Sequence, residues 1–131
     1  MISRKPAILV IGLLVVSCSA AGVMGIGGIW EGESVCTIKD SPCRDEHVIY
    51  HVPEPDSVGK VTIQADKVVN GKPEDMGNLD CTFDSKASKL VCPMQNGTWD
   101  FVVNGSTMTG TLKLPDGRLY RNISVRKKGQ N

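Results

Sequence analysis

The chain has 131 residues, enough for one domain, and its 15 basic and 14 acidic side chains almost cancel. No basic patch with interleaved aromatic residues occurs, which argues against nucleic acid as a partner. No segment has a long helical period of apolar residues, so the sequence predicts no substantial helix.

The first segment of the chain has the pattern of an export signal. Arg4 and Lys5 precede an apolar run over residues 7–16, and small residues follow that run. This order is typical of a secretory signal peptide, and the run is shorter than the about 20 apolar residues that a membrane-spanning helix needs. We therefore expect residues 1–20 to direct export of the protein.

The apolar run ends in the sequence LVVSC, which resembles a bacterial lipobox. In proteins with that motif the cysteine, here Cys18, is diacylated and becomes the first mature residue. Residues 21–28 are rich in glycine and would then form a flexible tether to a domain over residues 29–128. The protein would be periplasmic or anchored to the outer membrane through this lipid. The alternative is ordinary cleavage after Ala20 or Ala21, which would give a soluble secreted protein.

Eight stretches of the chain alternate apolar and polar residues, a period typical of strands with one buried face. The predicted strands cover residues 28–38, 47–52, 60–69, 74–84 with a bend at Gly77, 89–94, and a three-strand meander within 97–128. Asn70-Gly71, Asn104-Gly105 and Asp116-Gly117 are typical of tight hairpin turns. Closure of eight such strands removes exposed sheet edges, so we predict an all-β protein with a small antiparallel up-and-down barrel.

The cysteine count predicts disulfides. Five cysteines occur, and without Cys18 an even number remains, as expected for an exported domain with two disulfides. If residues 85–88 close a hairpin, Cys81 and Cys92 face each other at bonding distance. We favour this pairing, which leaves Cys36 to pair with Cys43. A structural zinc site would require cysteines with only two to four residues between them, and no pair has that spacing.

One residue in the first predicted strand and one in the last resemble a pair of residues found in a known family. Gly28-Ile29-Trp30 opens the first strand and an inward-facing Arg121 lies in the last strand, a combination similar to that of lipocalins and other calycins. In those barrels a tryptophan packs beneath an arginine and closes one end. The resemblance is to a small bacterial lipocalin-like envelope lipoprotein. It implies that Arg121, or failing that Arg126, covers Trp30.

The sequence offers little catalytic chemistry. His47 and His51 share one strand face, but their β-carbons would lie about 13 Å apart, too far to share a metal ion. We interpret them as independent surface or rim histidines. The two disulfides leave no free mature thiol as nucleophile, and no serine lies in a recognisable nucleophile elbow. We therefore predict a non-enzymatic protein without cofactor or metal.

Two binding functions remain open. The favoured one is an envelope protein that binds a protein partner, such as a hydrolase inhibitor or an assembly factor, through the loops at residues 37–42 and 53–58. The possible partner contacts are Lys39, Asp40, His47 and His51. The alternative is a lipocalin-like carrier of a small apolar or amphipathic ligand. The pattern alone is compatible with a solid core or a cavity, because side chains can fill an eight-stranded barrel.

Overall fold

The computed structural model describes Ser3, residues 5–8 and 11–15, and the continuous stretch 25–129. Residues 5–8 and 11–15, within the predicted signal peptide, have no regular secondary structure, and Leu13 and Leu14 are 84% and 88% exposed. The predicted lipidation site Cys18 lies outside the described residues. Within the ranges given above, no helix has the length and apolar character needed to cross a membrane.

The domain is a closed barrel of eight antiparallel strands that follow one another in chain order. The strands are β1 (Gly28–Cys36), β2 (Glu46–Val52), β3 (Lys60–Val69), β4 (Lys72–Asp84), β5 (Lys89–Met94), β6 (Gly97–Asn104), β7 (Thr107–Lys113) and β8 (Leu119–Lys127). β8 pairs with β1 and closes the barrel. The predicted fold class is confirmed, and so are both disulfides, Cys36–Cys43 and Cys81–Cys92.

Glycine and asparagine set the turns and the bend that the sequence predicts. Asn70 and Gly71 both have positive φ angles, 51° and 76°, which two-residue hairpin turns require. At Gly77, with φ of 106°, the pairing of β4 with β3 shifts register and leaves Met76 without a paired residue. This β-bulge is the bend predicted in the fourth strand. The turn between β6 and β7 lies one residue later than predicted, because Asn104 still pairs with Thr107.

Alternate residues of all strands form the core inside the barrel. The largest fully buried side chains are Trp30, Phe101, Ile63, Leu90, Met108, Val48, Val125 and Cys92. The ring of Tyr50 meets that of Phe101 edge to face, with centroids 5.9 Å apart. Side chains therefore fill the interior around Trp30, as expected for a barrel of this size.

The end of the barrel at which β1 begins is sealed by Trp30. Its side chain is completely buried, and its Nε1 donates to the carbonyl of Ile26 at 2.9 Å. Lys127 Nζ lies 5.8 Å from the centre of the Trp30 ring and donates to the carbonyl of Gly25 at 2.8 Å. A lysine therefore supplies the cation over the indole face.

The predicted pairing of Trp30 with Arg121 is wrong, because the register between β1 and β8 places the two residues at different heights in the barrel. β1 and β8 align Trp30 with Lys127, whereas Arg121 is aligned with Cys36, at the other end of β1. Arg126 is aligned with Glu31, the outward-facing neighbour of Trp30, so the second candidate does not cover the ring either. Lys127 follows the same inward alternation as Arg121.

The predicted tether over residues 21–28 also requires correction. Residues 21–24 lie outside the described part of the chain, but residues 25–27 pack on the barrel. Ile26 is only 3% exposed and belongs to the core, and the Gly27 N–H donates to Glu54 Oε1 at 3.0 Å. Gly28 is already the first residue of β1. The folded domain thus begins before residue 29, because Ile26 is buried in the core and accepts the hydrogen bond of the Trp30 indole.

Candidate functional site

The two ends of the barrel differ. In an up-and-down barrel the connections alternate between the ends, so residues 53–59, 85–88 and 105–106 lie at the sealed end with Trp30. Residues 37–45, 70–71, 95–96 and 114–118 lie at the opposite end, which we call the open end. The open end contains a cavity of about 350 Å³. Mouths of β-barrels are frequent sites of small-molecule binding.

The cavity has an apolar wall and a polar group of side chains. Its apolar lining consists of Val48, Ala65, Met76, Leu79, Met94 and Trp99. Its polar lining consists of Ser34, Glu46, Tyr50, Asn78, Asn96 and Arg121. A larger depression of about 560 Å³ lies over the strands β5 to β8, but it is a more open groove that includes the outward residues Asp100, Thr111 and Asn122. The cavity at the open end, which we call the mouth cavity, is therefore the better candidate for a binding site.

Arg121 is the cation of the mouth cavity, and three strands position it. It shares the inner face of β8 with Ile123 and Val125, as the alternation predicts, and its side chain is 12% exposed. Its Nη1 donates to the hydroxyl of Ser34 at 3.2 Å and to the carbonyl of Ser34 at 3.3 Å. Its Nη2 lies 3.5 Å from Oε1 of Glu46, the first residue of β2.

Tyr50 lines the same cavity. The residue is 3% exposed and stands opposite Trp30 in the β1–β2 register. Burial raises the pKa of Tyr50, and the nearby Glu46 carboxylate raises it further, whereas Arg121 acts in the opposite direction. The hydroxyl therefore stays protonated at neutral pH and can donate or accept a hydrogen bond.

The sequence contains a signal for the polar residues of the cavity that the predictions did not use. Glu46, Val48, Tyr50 and Val52 form the inner face of β2, so alternation alone places a carboxylate and a phenol inside the barrel. Alternation from Trp30 also places Ser34 inside, where it is only 2% exposed, but it does not reveal the contact with Arg121 from the far end of the chain.

Lys39 and Asp40 lie in the disulfide-closed loop between β1 and β2 at the open end. Thr37 anchors the loop to β8, since its N–H donates to the Tyr120 carbonyl at 3.0 Å and its hydroxyl to the Leu119 carbonyl at 2.8 Å. Asp40 is exposed and has a φ of 60°. The loop at residues 53–58 lies at the sealed end. The two loops predicted to contact a partner therefore do not form one surface.

His47 and His51 both lie on the outer face of β2, and each meets a carboxylate from a neighbouring strand. His47 Nδ1 lies 2.6 Å from Glu33 Oε1, and its Nε2 lies 2.9 Å from Glu31 Oε1. His51 Nε2 lies 2.9 Å from Asp66 Oδ2. Register across β1, β2 and β3 creates these pairs, and the sequence spacing does not reveal them.

Side-chain hydrogen bonds are the main cause of the shifted pKa values on the outer face. Hydrogen bonds that His47 donates to Glu33 and, second, to Glu31 raise the pKa of His47. Lys128, which contacts Glu31, and then His47 lower the pKa of Glu31. Gln64, followed by His51, lowers the pKa of Asp66. No group of three or more His, Cys, Asp or Glu side chains in the described ranges is arranged to hold a metal ion.

Fold and site together define a small disulfide-bonded β-barrel with one sealed end and one end that holds a mixed polar and apolar cavity. No protein-family model matches the sequence, and comparison with curated proteins and with solved structures gives no significant match.

Proposed function

We propose that this protein is a non-enzymatic binding protein that holds a small amphipathic molecule in the mouth cavity. The observation that carries the proposal is the cavity itself, about 350 Å³ in volume and lined by apolar and polar side chains in equal number. Ligand pockets typically combine an apolar lining with a few placed polar groups and enclose about 300–1,000 Å³. The sequence favoured binding of a protein partner over binding of a small ligand, because it did not show whether the barrel holds a cavity. The cavity reverses that preference.

The proposal includes export, because an even set of paired cysteines suits an oxidising compartment. The amino-terminal pattern supports a periplasmic or lipid-anchored location, with soluble secretion as the alternative. Residues 25–27 approach the barrel at its sealed end. A lipid on Cys18 would thus leave the open end free to face away from the membrane.

A cavity-filling substitution tests the ligand-binding proposal. Ala65 lines the cavity and is 6% exposed, so Ala65→Phe occupies space that a ligand would use. Val102→Phe adds an aromatic ring to an exposed outer position and is the matched control. We expect the neutral fluorescent probe N-phenylnaphthylamine to bind the unmodified protein and the control, and to bind Ala65→Phe at least about tenfold more weakly. Equal binding by all three proteins, with intact thermal unfolding, would contradict the proposal.

A second candidate is the protein-binding function, which the anchored loop between Cys36 and Cys43 favours. A rigid loop loses less entropy when it binds. An inhibitor of this kind should lower the activity of an envelope hydrolase and lose potency in the double variant Lys39→Ala, Asp40→Asn. Asparagine retains the positive φ that position 40 adopts. Undiminished potency in this variant would exclude the loop as the contact.

A further inference from the structure

Arg121 is a nearly buried cation with incomplete partners. Its side chain is 12% exposed, and its three contacts to Ser34 and Glu46 measure 3.2, 3.3 and 3.5 Å. Charge-assisted N–H···O bonds are normally about 2.7–2.9 Å long. Within the described part of the chain its Nε donates no hydrogen bond, and its Cζ atom lies 5.7 Å from the centre of the Tyr120 ring. A cation removed from water gains most from an additional anionic acceptor.

Glu46 is the replaceable partner of Arg121. Its side chain is 24% exposed, twice as much as that of Arg121, and it begins β2 beside the open end. Ser34, in contrast, holds Nη1 of Arg121 from a position that is 2% exposed. The Glu46 carboxylate can therefore turn towards water while the guanidinium keeps its place.

The apolar lining of the cavity suits a ligand whose negatively charged group is attached to an apolar part. Trp99 and Leu79 line it, and Met76 and Met94 are 41% and 40% exposed at the entrance. Methionine side chains adapt to ligands of different shapes. Resting on the proposed ligand-binding function, we infer that the ligand is an amphipathic organic anion whose negative group replaces Glu46 at Arg121 and whose apolar part contacts Trp99 and Leu79.

A pair of matched fluorescent probes tests this inference on the oxidised protein. Anilinonaphthalene sulfonate is an anion, and N-phenylnaphthylamine has the same ring skeleton without the sulfonate. We expect the anionic probe to bind more tightly than the neutral one. Arg121→Gln should weaken binding of the anionic probe by roughly tenfold or more, and should weaken it several times more than it weakens binding of the neutral probe.

Glu46→Gln provides a prediction of opposite sign. It removes the carboxylate that competes for Arg121 and repels the probe, so the anionic probe should bind about threefold more tightly or better. Partly unfolded protein also binds this probe, so the gain counts only if the urea denaturation midpoint and binding of the neutral probe stay unchanged. Arg118→Gln is the charge control, because Arg118 lies in the connection at the open end, is 65% exposed, and pairs with Asp116.

The outcomes separate the inference from the proposed function. If both probes bind alike and neither Arg121→Gln nor Glu46→Gln changes their ratio, the cavity binds ligands but the inference of an anion is overturned. If Glu46→Gln weakens the anionic probe, Glu46 positions Arg121 for the ligand instead of competing with it, and the inference is equally overturned. If neither probe binds the unmodified protein, the proposed function fails together with the inference.

Discussion

Gly32 marks the place in β1 where the barrel wall leaves no room for a side chain. It pairs with Val48 on one side and with Val125 on the other, and both of these residues are in the core. A β-carbon at Gly32 would overlap the backbone carbonyl of Ser124 and approach the Cα atom of Val125. Backbone atoms cannot move aside as the end of a flexible side chain can, so close packing requires glycine here.

We expect Gly32→Ala to lower the free energy of unfolding by roughly 2 kcal/mol or more. Gly71→Ala is the matched control, because Gly71 has a φ of 76° and open space around it, so only the cost of backbone conformation, about 1 kcal/mol, applies. Urea denaturation of both variants measures the difference. Equal losses would contradict the steric explanation.

The cluster around His47 should make stability depend on pH. The pKa of His47 is raised above its ordinary 6.5, so its contribution is fully present below that value and is lost as pH rises through the raised pKa. The pKa of Glu31 is lowered from 4.5, so its contribution is present above that value and is lost as pH falls through the lowered pKa. The cluster therefore stabilises the fold most between these two ordinary values.

The free energy of unfolding should fall as pH rises from about 6 to about 8, and we expect it to fall less in His47→Gln than in the unmodified protein. The difference should be less than about 1 kcal/mol, because the His47 side chain is 41% exposed and solvent screens its ion pairs. Urea denaturation of both proteins across this range gives the slopes, and Glu33→Gln should change the slope in the same direction. An unchanged slope in His47→Gln would show that other groups cause the pH dependence.

At the scale of elements, the two disulfides differ in their surroundings. Cys36–Cys43 closes an anchored loop at the open end, and both cysteines are partly exposed. Cys81–Cys92 crosses adjacent strands within the core, with both cysteines at most 5% exposed. The loops they close have similar lengths, with sequence separations of 7 and 11. The entropy removed from the unfolded chain is thus similar, about 2–3 kcal/mol for each in the chain-entropy account.

We expect the double variant Cys81→Ala, Cys92→Ala to lose more stability than Cys36→Ala, Cys43→Ala. The core pair loses buried atoms as well as the cross-link, which adds roughly 1–2 kcal/mol. Denaturant midpoints of the two variants, with the remaining disulfide intact, give the comparison. Equal destabilisation would mean that the packing of the core adjusts around the missing sulfur atoms.

At the scale of the whole molecule, the barrel has one sealed end and one open end. Trp30, Ile26 and Lys127 close the end at which the chain enters, and the mouth cavity lies at the other end. Because the closing residues come from both ends of the barrel sequence, the sealed end exists only when β1 and β8 are paired. The stability of the sealed end therefore depends on closure of the barrel.

We expect Ile26→Ala to lower the free energy of unfolding by roughly 2–3 kcal/mol and to make Trp30 more accessible to a fluorescence quencher. Ile29→Ala is the matched control, because Ile29 is 45% exposed on the outer face of β1 while Ile26 is 3% exposed. Acrylamide quenching in a Trp99→Phe background, where the fluorescence comes from Trp30, and urea denaturation measure the two effects. Similar results for both variants would show that residues 25–27 do not form part of the domain.

The sequence alone determined the properties that depend on neighbouring residues. Strands β3 and β5 have the bounds that alternation predicts, and the Asn70-Gly71 turn follows from the local need for positive φ. Cys81 and Cys92 could be paired because the turn between β4 and β5 fixes the register of a single hairpin. The location of the chain and its ligand or partner stay predictions.

The tertiary structure decided which distant residues meet. The cation over Trp30 is Lys127 rather than Arg121, the partners of His47 come from β1, and residues 25–27 pack on the barrel. Arg121 instead joins Ser34 and Glu46 at the cavity. The His47 contacts depend on the register between β1 and β2, and the contacts of Lys127 and Arg121 with the first strands depend on closure of the barrel. Alternation shows only which face of a strand a residue occupies, and it does not show its height along the barrel or the residue beside it.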